Sequence, residues 1–216
     1  MKRAAPFVFA AVAACGAAPS PAMPEGMGRG LLSADSEPPA GAVTYERPTW
    51  QQGQTFVLVR GDVVGARFLI ESIDEGGYVV RGPGGVRLRR DLDLGNLGEW
   101  APEGDAPLHL LSPVDVRFHW PLWVGKQWSC EFVDRAPGGE PLTMVASYEV
   151  EDLDTVTVRA GTFPALRVVR TLQLPAAGDR VMTRTQLVWY APSIGAEVRQ
   201  ILGDTEVELV EWRLPE

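Results

Sequence analysis

The sequence has few of the residues that usually carry chemistry. It holds 2 cysteines and 2 histidines in 216 residues, too few for a disulfide framework, a cysteine-rich zinc site or a histidine metal centre. Basic side chains are in the minority, 20 against 28 acidic ones for a net charge of -8. The positive footprint of a phosphate-backbone binder is therefore missing, and nucleic acid is not an expected partner. Long apolar runs are missing too: the uncharged stretch from Ala4 to Ala14 falls short of the roughly 20 residues that cross a bilayer as a helix. After residue 15 no segment joins helical length to a helical apolar period, and only 92–97 offers a short helix. GxSxG, SxxK, HExxH, CxxC and a phosphate-cradling glycine loop are all lacking. No catalytic residue, metal ligand or cofactor is assigned, and the chain reads as a non-enzyme. His109 and His119 both fall at strand-like positions without a nucleophile beside them.

What remains is 45% hydrophobic residues with 23 Gly and 18 Pro, the composition of one globular domain with some irregular chain. Lys2 and Arg3 followed by the apolar run form an export signal. The run ends in Val12-Ala13-Ala14-Cys15-Gly16, which resembles the bacterial lipobox. That resemblance implies a signal peptide over 1–14 and a diacylglycerol on the Cys15 thiol, the chain being held to a membrane by its acyl chains (palmitate or similar). The alternative is an ordinary secretory peptide cleaved after a small-x-small triplet. Each buried methylene contributes about 0.8 kcal/mol, so two or more chains anchor stably. Gly16 in place of Asp favours delivery to the periplasmic face of the outer membrane. Loss of Lys2 and Arg3 with the leader makes the remaining chain still more acidic, so anionic lipid adds nothing to the anchoring.

Residues 15–44 are rich in Ala, Pro, Gly and Ser with no apolar period, and read as a flexible tether. From residue 45 to 216 short β-branched and aromatic runs alternate with turn signals, the pattern of an all-β domain. Gln54 to Arg60, Ala66 to Ile73, Tyr78 to Arg81, Val86 to Arg89, Met144 to Val150, Thr155 to Arg159, Ala165 to Leu174, Val181 to Tyr190, Ala196 to Leu202 and Thr205 to Leu214 are the expected strands. Trp50-Gln51-Gln52-Gly53-Gln54-Thr55-Phe56 is echoed by Trp123-Val124-Gly125-Lys126-Gln127-Trp128, and Glu71 to Asp74 by Glu151 to Asp154. The echo points to two pseudo-repeated halves.

The most recognisable text runs from Pro121-Leu122-Trp123-Val124-Gly125-Lys126-Gln127-Trp128 through Ala160-Gly161-Thr162-Phe163 to Trp189-Tyr190-Ala191-Pro192 and Gly195. These segments are similar to motifs of a group of exported bacterial β-rich lipoproteins without assigned activity. The resemblance implies a curved antiparallel sheet, a half-barrel or open barrel akin to LolA and LolB. Gly161 would supply a positive-φ turn ahead of a core Phe163. Lys126 at a hairpin start is expected to be exposed, and Cys130 to be a small core residue. The acidic runs Glu149, Glu151, Asp152, Asp154 and Asp91, Asp93, Glu99, Glu103, Asp105 lack calcium-loop spacing and read as solvated faces.

Trp120, Trp123, Trp128 and Trp189 are large apolar bodies that either fill the core or line a concavity for an apolar ligand or acyl chain. On the second reading the protein is a binding module for a lipid or other apolar molecule. The rival is an assembly or structural factor that takes an envelope protein by a strand edge.

Overall fold

The computed structural model describes residues 27–61, 65–104, 106–176 and 180–215. The leader, Cys15 and the start of the tether lie outside the described residues. Thirteen strands follow in order: β1 (Gly30–Ala34), β2 (Thr55–Arg60), β3 (Ala66–Asp74), β4 (Gly77–Arg81), β5 (Arg87–Arg90), β6 (Asn96–Trp100), β7 (Pro107–Asp115), β8 (Gln127–Arg135), β9 (Leu142–Val158), β10 (Gly161–Ala176), β11 (Arg180–Ala191), β12 (Ala196–Leu202) and β13 (Thr205–Arg213). All pairings are antiparallel. Neighbours run β7-β6-β5-β4-β3-β2-β13-β12-β11-β10-β9, and β8 joins both β7 and β9, so twelve strands close into a barrel. The expected curved sheet thus returns on itself through the ladder from Gln127↔Glu149 to Asp134↔Leu142. Closure removes the two edges that an open half-barrel would expose.

β1 is the thirteenth strand. β7 pairs with β8 only at Val133 to Arg135, and β1 takes up the freed edge from Trp128 to Glu131. Gly28 N–H donates to Ser112 O of β7 at 3.0 Å, so the segment bridges the seam. A Cβ at Gly28 would meet Phe132 Cα at 2.4 Å; only glycine lets the chain lie this close. β1 falls inside 15–44, the segment whose composition reads as tether. Its pattern is mute because burial does not hold it: Leu31 and Leu32 are exposed. Backbone pairing, Arg29 on Glu131 at 2.7 Å and Ser33 on Ser129 at 2.7 Å do.

The short helix over 92–97 is not formed. Asp91 closes a tight turn there, its Oδ1 accepting from Gly95 N–H at 2.6 Å while Leu94 sits at φ 66. The side chain offers the backbone a turn in place of a helix. Both echoed tryptophan segments lead into strands, β2 and β8, but then diverge. β3 turns back just after Asp74, whereas β9 runs on through Asp154 to Val158.

The core lies inside the barrel, with Ile70, Leu122, Trp128, Cys130, Phe132, Val150, Leu166, Tyr190 and Leu209 all at 2% exposure or less. The outer face carries ion pairs, among them Arg199–Glu206 at 2.7 Å, Arg159–Glu208 at 2.8 Å and Arg89–Asp74 at 3.3 Å. A membrane-spanning barrel needs an apolar outer band in that place. Among the described residues no helix is long and apolar enough to cross a membrane.

Candidate functional site

Strand alternation selects the polar groups that enter the barrel. β5 reads Arg87-Leu88-Arg89-Arg90, so Arg87 and Arg89 face outward while Leu88 and Arg90 face inward. Arg89 meets Asp74 outside. Arg90 lies opposite Tyr78 of β4, where Gly77, at φ 129, lets the strands approach so closely that a Cβ would stand 2.0 Å from Arg90 O. The same parity sets Tyr148 of β9, Arg170 of β10 and Gln200 of β12 on the inner face, and the register shift opposite Trp189 and Tyr190 turns Glu197 to that side as well.

Two ion pairs result. Asp115, 2% exposed, accepts from Arg170 at 2.9 Å and from the Tyr148 hydroxyl, and Arg170 Nε also donates to that hydroxyl at 3.0 Å. Arg117 donates to Glu197 Oε1 at 2.8 Å, and Gln200 donates to Glu197 Oε2. Burial works against both arginine charges, but Tyr148 and Asp115 around Arg170, and Glu197, Tyr148 and Asp115 around Arg117, hold each pKa above its ordinary value. Burial and Asp115 push the Tyr148 hydroxyl well up. Each carboxylate already faces a guanidinium, an arrangement that fixes the interior rather than activates an acid or base.

Beside this ladder lies a partly open cavity of about 300 Å³, at the small end of ligand pockets. Its wall is mainly apolar: Phe56 and Leu58 of β2, Phe68 of β3, Val80 of β4, Leu88 of β5, Val207 of β13, and Trp50, Leu94, Phe118 and Tyr190. Arg90, Glu197 and Gln200 supply its polar side. Trp50 is held by its indole N–H on Gly195 O at 2.8 Å and by rings of Phe56 and Tyr78 at 5.7 and 5.3 Å. Gly195, φ 65, ends the loop between β11 and β12, and a Cβ there would meet Pro48 at 2.8 Å. Phe118 packs on Tyr190 at 5.0 Å.

The four tryptophans singled out in the sequence do not line this cavity. Trp123 and Trp128 are buried core residues, Trp128 stacking on Tyr148 at 5.0 Å and donating to Val116 O at 2.8 Å; Trp128 also borders a polar hollow with Ser33, Asp35 and Glu149. Trp189 is buried beside Arg199, its indole N–H on Asp154 at 2.8 Å. Only Trp120 bears on the cavity, from behind: it stacks on Phe118 at 5.3 Å and meets the edge of Tyr190 at 5.5 Å. Clustering in sequence missed the wall because the wall is drawn from seven strands and four loops. The echo at Trp50 and the doubled arginine Arg89-Arg90, which forces one of the two inward, were the available signals.

Three further expectations change or stand. Lys126 is not exposed: it is 1% accessible, donates to Pro121 O at 2.7 Å and lies 4.2 Å from the Trp123 ring. Burial pushes its pKa down to about 8. His119 lies in the loop between β7 and β8 rather than in a strand, with Nδ1 lacking a partner among the described residues; burial and then Lys126 lower its pKa. Cys130 is a core residue, 0% exposed, its thiol pushed up to about 12 by burial and by Asp115.

No family model and no curated protein matches the sequence. Solved structures similar to the chain include the following three. One is described as a lipoprotein from Parabacteroides distasonis, with 13% identity and a TM-score of 0.49 over 79% of this chain and 99% of that one. Another is the hypothetical lipoprotein YmcC from Escherichia coli, with 10% identity and a TM-score of 0.48 over 79% and 91%. A third is an exported protein with a YmcC-like fold from Bacteroides fragilis, with 12% identity and a TM-score of 0.46 over 79% and 100%.

Proposed function

We propose that this protein is a lipid-anchored binding module of the bacterial envelope that takes a slender apolar ligand into its barrel and does no chemistry on it. The observation that carries the reading is the cavity: aromatic and aliphatic side chains from opposite walls leave about 300 Å³ unfilled, although interiors ordinarily close to crystal-like density. Lipobox-like residues ending at Cys15 supply the anchor, and the acidic, ion-paired exterior suits a domain held off the bilayer. Gly16 in place of Asp supports the periplasmic face of the outer membrane over the inner membrane.

The full chain, purified from a bacterial envelope and stripped of lipid, is expected to bind the apolar fluorophore N-phenyl-1-naphthylamine with one site. Val207→Trp fills the cavity and should weaken that binding by about tenfold or more. Equal binding by the two proteins, with both folded by circular dichroism, refutes the cavity as the site.

One observation favours a second reading. Arg180 to Thr185 of β11 pair with β10 alone, because β12 begins its ladder at Gln186. That open edge is a place for a partner strand. Arg180 and Arg184 along it are the kind of residue that natural edges use to discourage pairing, and this ranks the edge below the cavity.

A further inference from the structure

We infer that the cavity selects a single-chain amphiphile with a carboxylate head, the head taken by Arg90 and Tyr190 and the chain lying among Phe56, Phe68 and Phe118. This rests on the apolar-ligand reading above and adds the chemistry of the ligand's polar end.

The first argument is charge. Three arginines reach the inner side of the wall against two carboxylates: Arg170 is paired with Asp115 at 2.9 Å and Arg117 with Glu197 at 2.8 Å. Arg90 is left over. Among the described residues it has no ion-pair partner, and Nη1 donates only to the carbonyl of Leu94, at 3.1 Å. A guanidinium has five N–H donors in a planar fork that matches a carboxylate. Burial and then the charge of Arg117 lower its pKa, so an added anion would relieve both.

The second argument is independent of charge. Tyr190 is 1% exposed and lines the same cavity, yet its hydroxyl has no hydrogen-bond partner among the described residues. Buried hydroxyls are normally satisfied, and one without a partner costs about 1–3 kcal/mol. Glu197 also faces the cavity, but Arg117 and Gln200 already occupy its two oxygens. A cationic ligand would meet Arg90 directly, and a neutral one would leave the Arg90 charge unmatched.

The test is titration calorimetry of the full, delipidated protein at pH 8 with decanoate and with 1-decanol, which share a chain and differ in the head. Decanoate is expected to bind about tenfold more tightly. Arg90→Gln should abolish that preference while 1-decanol still binds, which also shows that the cavity is intact. Tyr190→Phe, which keeps the ring, should weaken decanoate about threefold and 1-decanol less, because a hydrogen bond to a charged acceptor is the stronger. If Arg90→Gln does not fold, Tyr190→Phe and Arg90→Lys carry the comparison. Equal affinities for the two ligands, or an unchanged preference in the variants, overturn the carboxylate assignment and leave the apolar reading standing. Binding of neither ligand removes the apolar reading itself, and this inference with it.

Discussion

At the scale of single residues, Lys126 shows how burial overrides a sequence expectation. A lone lysine at a hairpin start reads as solvated, yet here the chain folds over it, and its pKa falls from 10.5 to about 8 because the charged form is desolvated. The sign of the consequence follows from proton counting. Between pH 8 and 10.5 the unfolded chain binds a proton that the folded chain has released, so stability rises with pH across that window. Below pH 8 both states are charged and the penalty is fully present. Against Lys126→Met, the wild type should therefore gain in urea midpoint from pH 8 to 10; a constant difference between the two proteins would show that the ammonium is not desolvated. Gln in place of Lys126 is a weaker control because it keeps a donor for Pro121 O.

At the scale of elements, the strands legible in the sequence are those whose alternation runs unbroken, such as β2, β5 and β13. β9 reads as two runs because Glu151-Asp152-Leu153-Asp154 interrupts it. The structure makes it one strand with a register shift opposite Arg167 and Val168, and Arg167 gathers Glu151, Asp152 and Asp154 at 3.1, 3.7 and 3.4 Å. Past that bulge the buried set of β10 changes parity, from Leu166 and Val168 to Phe163 and Ala165, which no fixed period anticipates. Ala160 then reaches β13, donating to Leu209 O at 3.1 Å. Gly161 does sit at a positive φ, 139, ahead of a buried Phe163. β6 is invisible because Gly98 lies within a cross-strand approach where a Cβ would meet His109 O at 2.2 Å, and glycine is no strand signal.

The inward polar residues were the least legible of all, since an arginine on a strand reads as an outward residue until its neighbours' parity is counted. The Asp115–Arg170 pair tests their weight. Asp115→Ala leaves Arg170 and Tyr148 buried without their acceptor and should cost about 3–5 kcal/mol of unfolding free energy. Asp115→Leu with Arg170→Leu should cost less than the single change, because no charge is then stranded. Thermal and urea unfolding measure both, and a double variant as unstable as the single one would place the cost in packing instead.

At the scale of the whole molecule, the seam between β7 and β8 is bridged by a strand that composition assigns to the tether. Gly28→Ala should lift β1 from the seam at a cost on the order of 2 kcal/mol, roughly 5 °C in a domain of this size. Hydrogen exchange should quicken in β1 and in the half of β8 beside it while β10 and β11 stay protected. Uniform exchange across the barrel would mean that the seam has no separate stability.

β1 also limits how far the barrel could stand from the proposed lipid on Cys15. With the chain fixed from Gly28 onward, the twelve residues between Cys15 and that point extend to at most about 45 Å, so a lipid on Cys15 would confine the cavity to a thin shell above the bilayer. Any tug on the acyl chains enters the domain through β1, whose bonds to β8 lie side by side along one strand. A pull along that strand would load them together in shear, so with a lipid on Cys15 the strand that bridges the seam would also be the mooring point where membrane tension is borne.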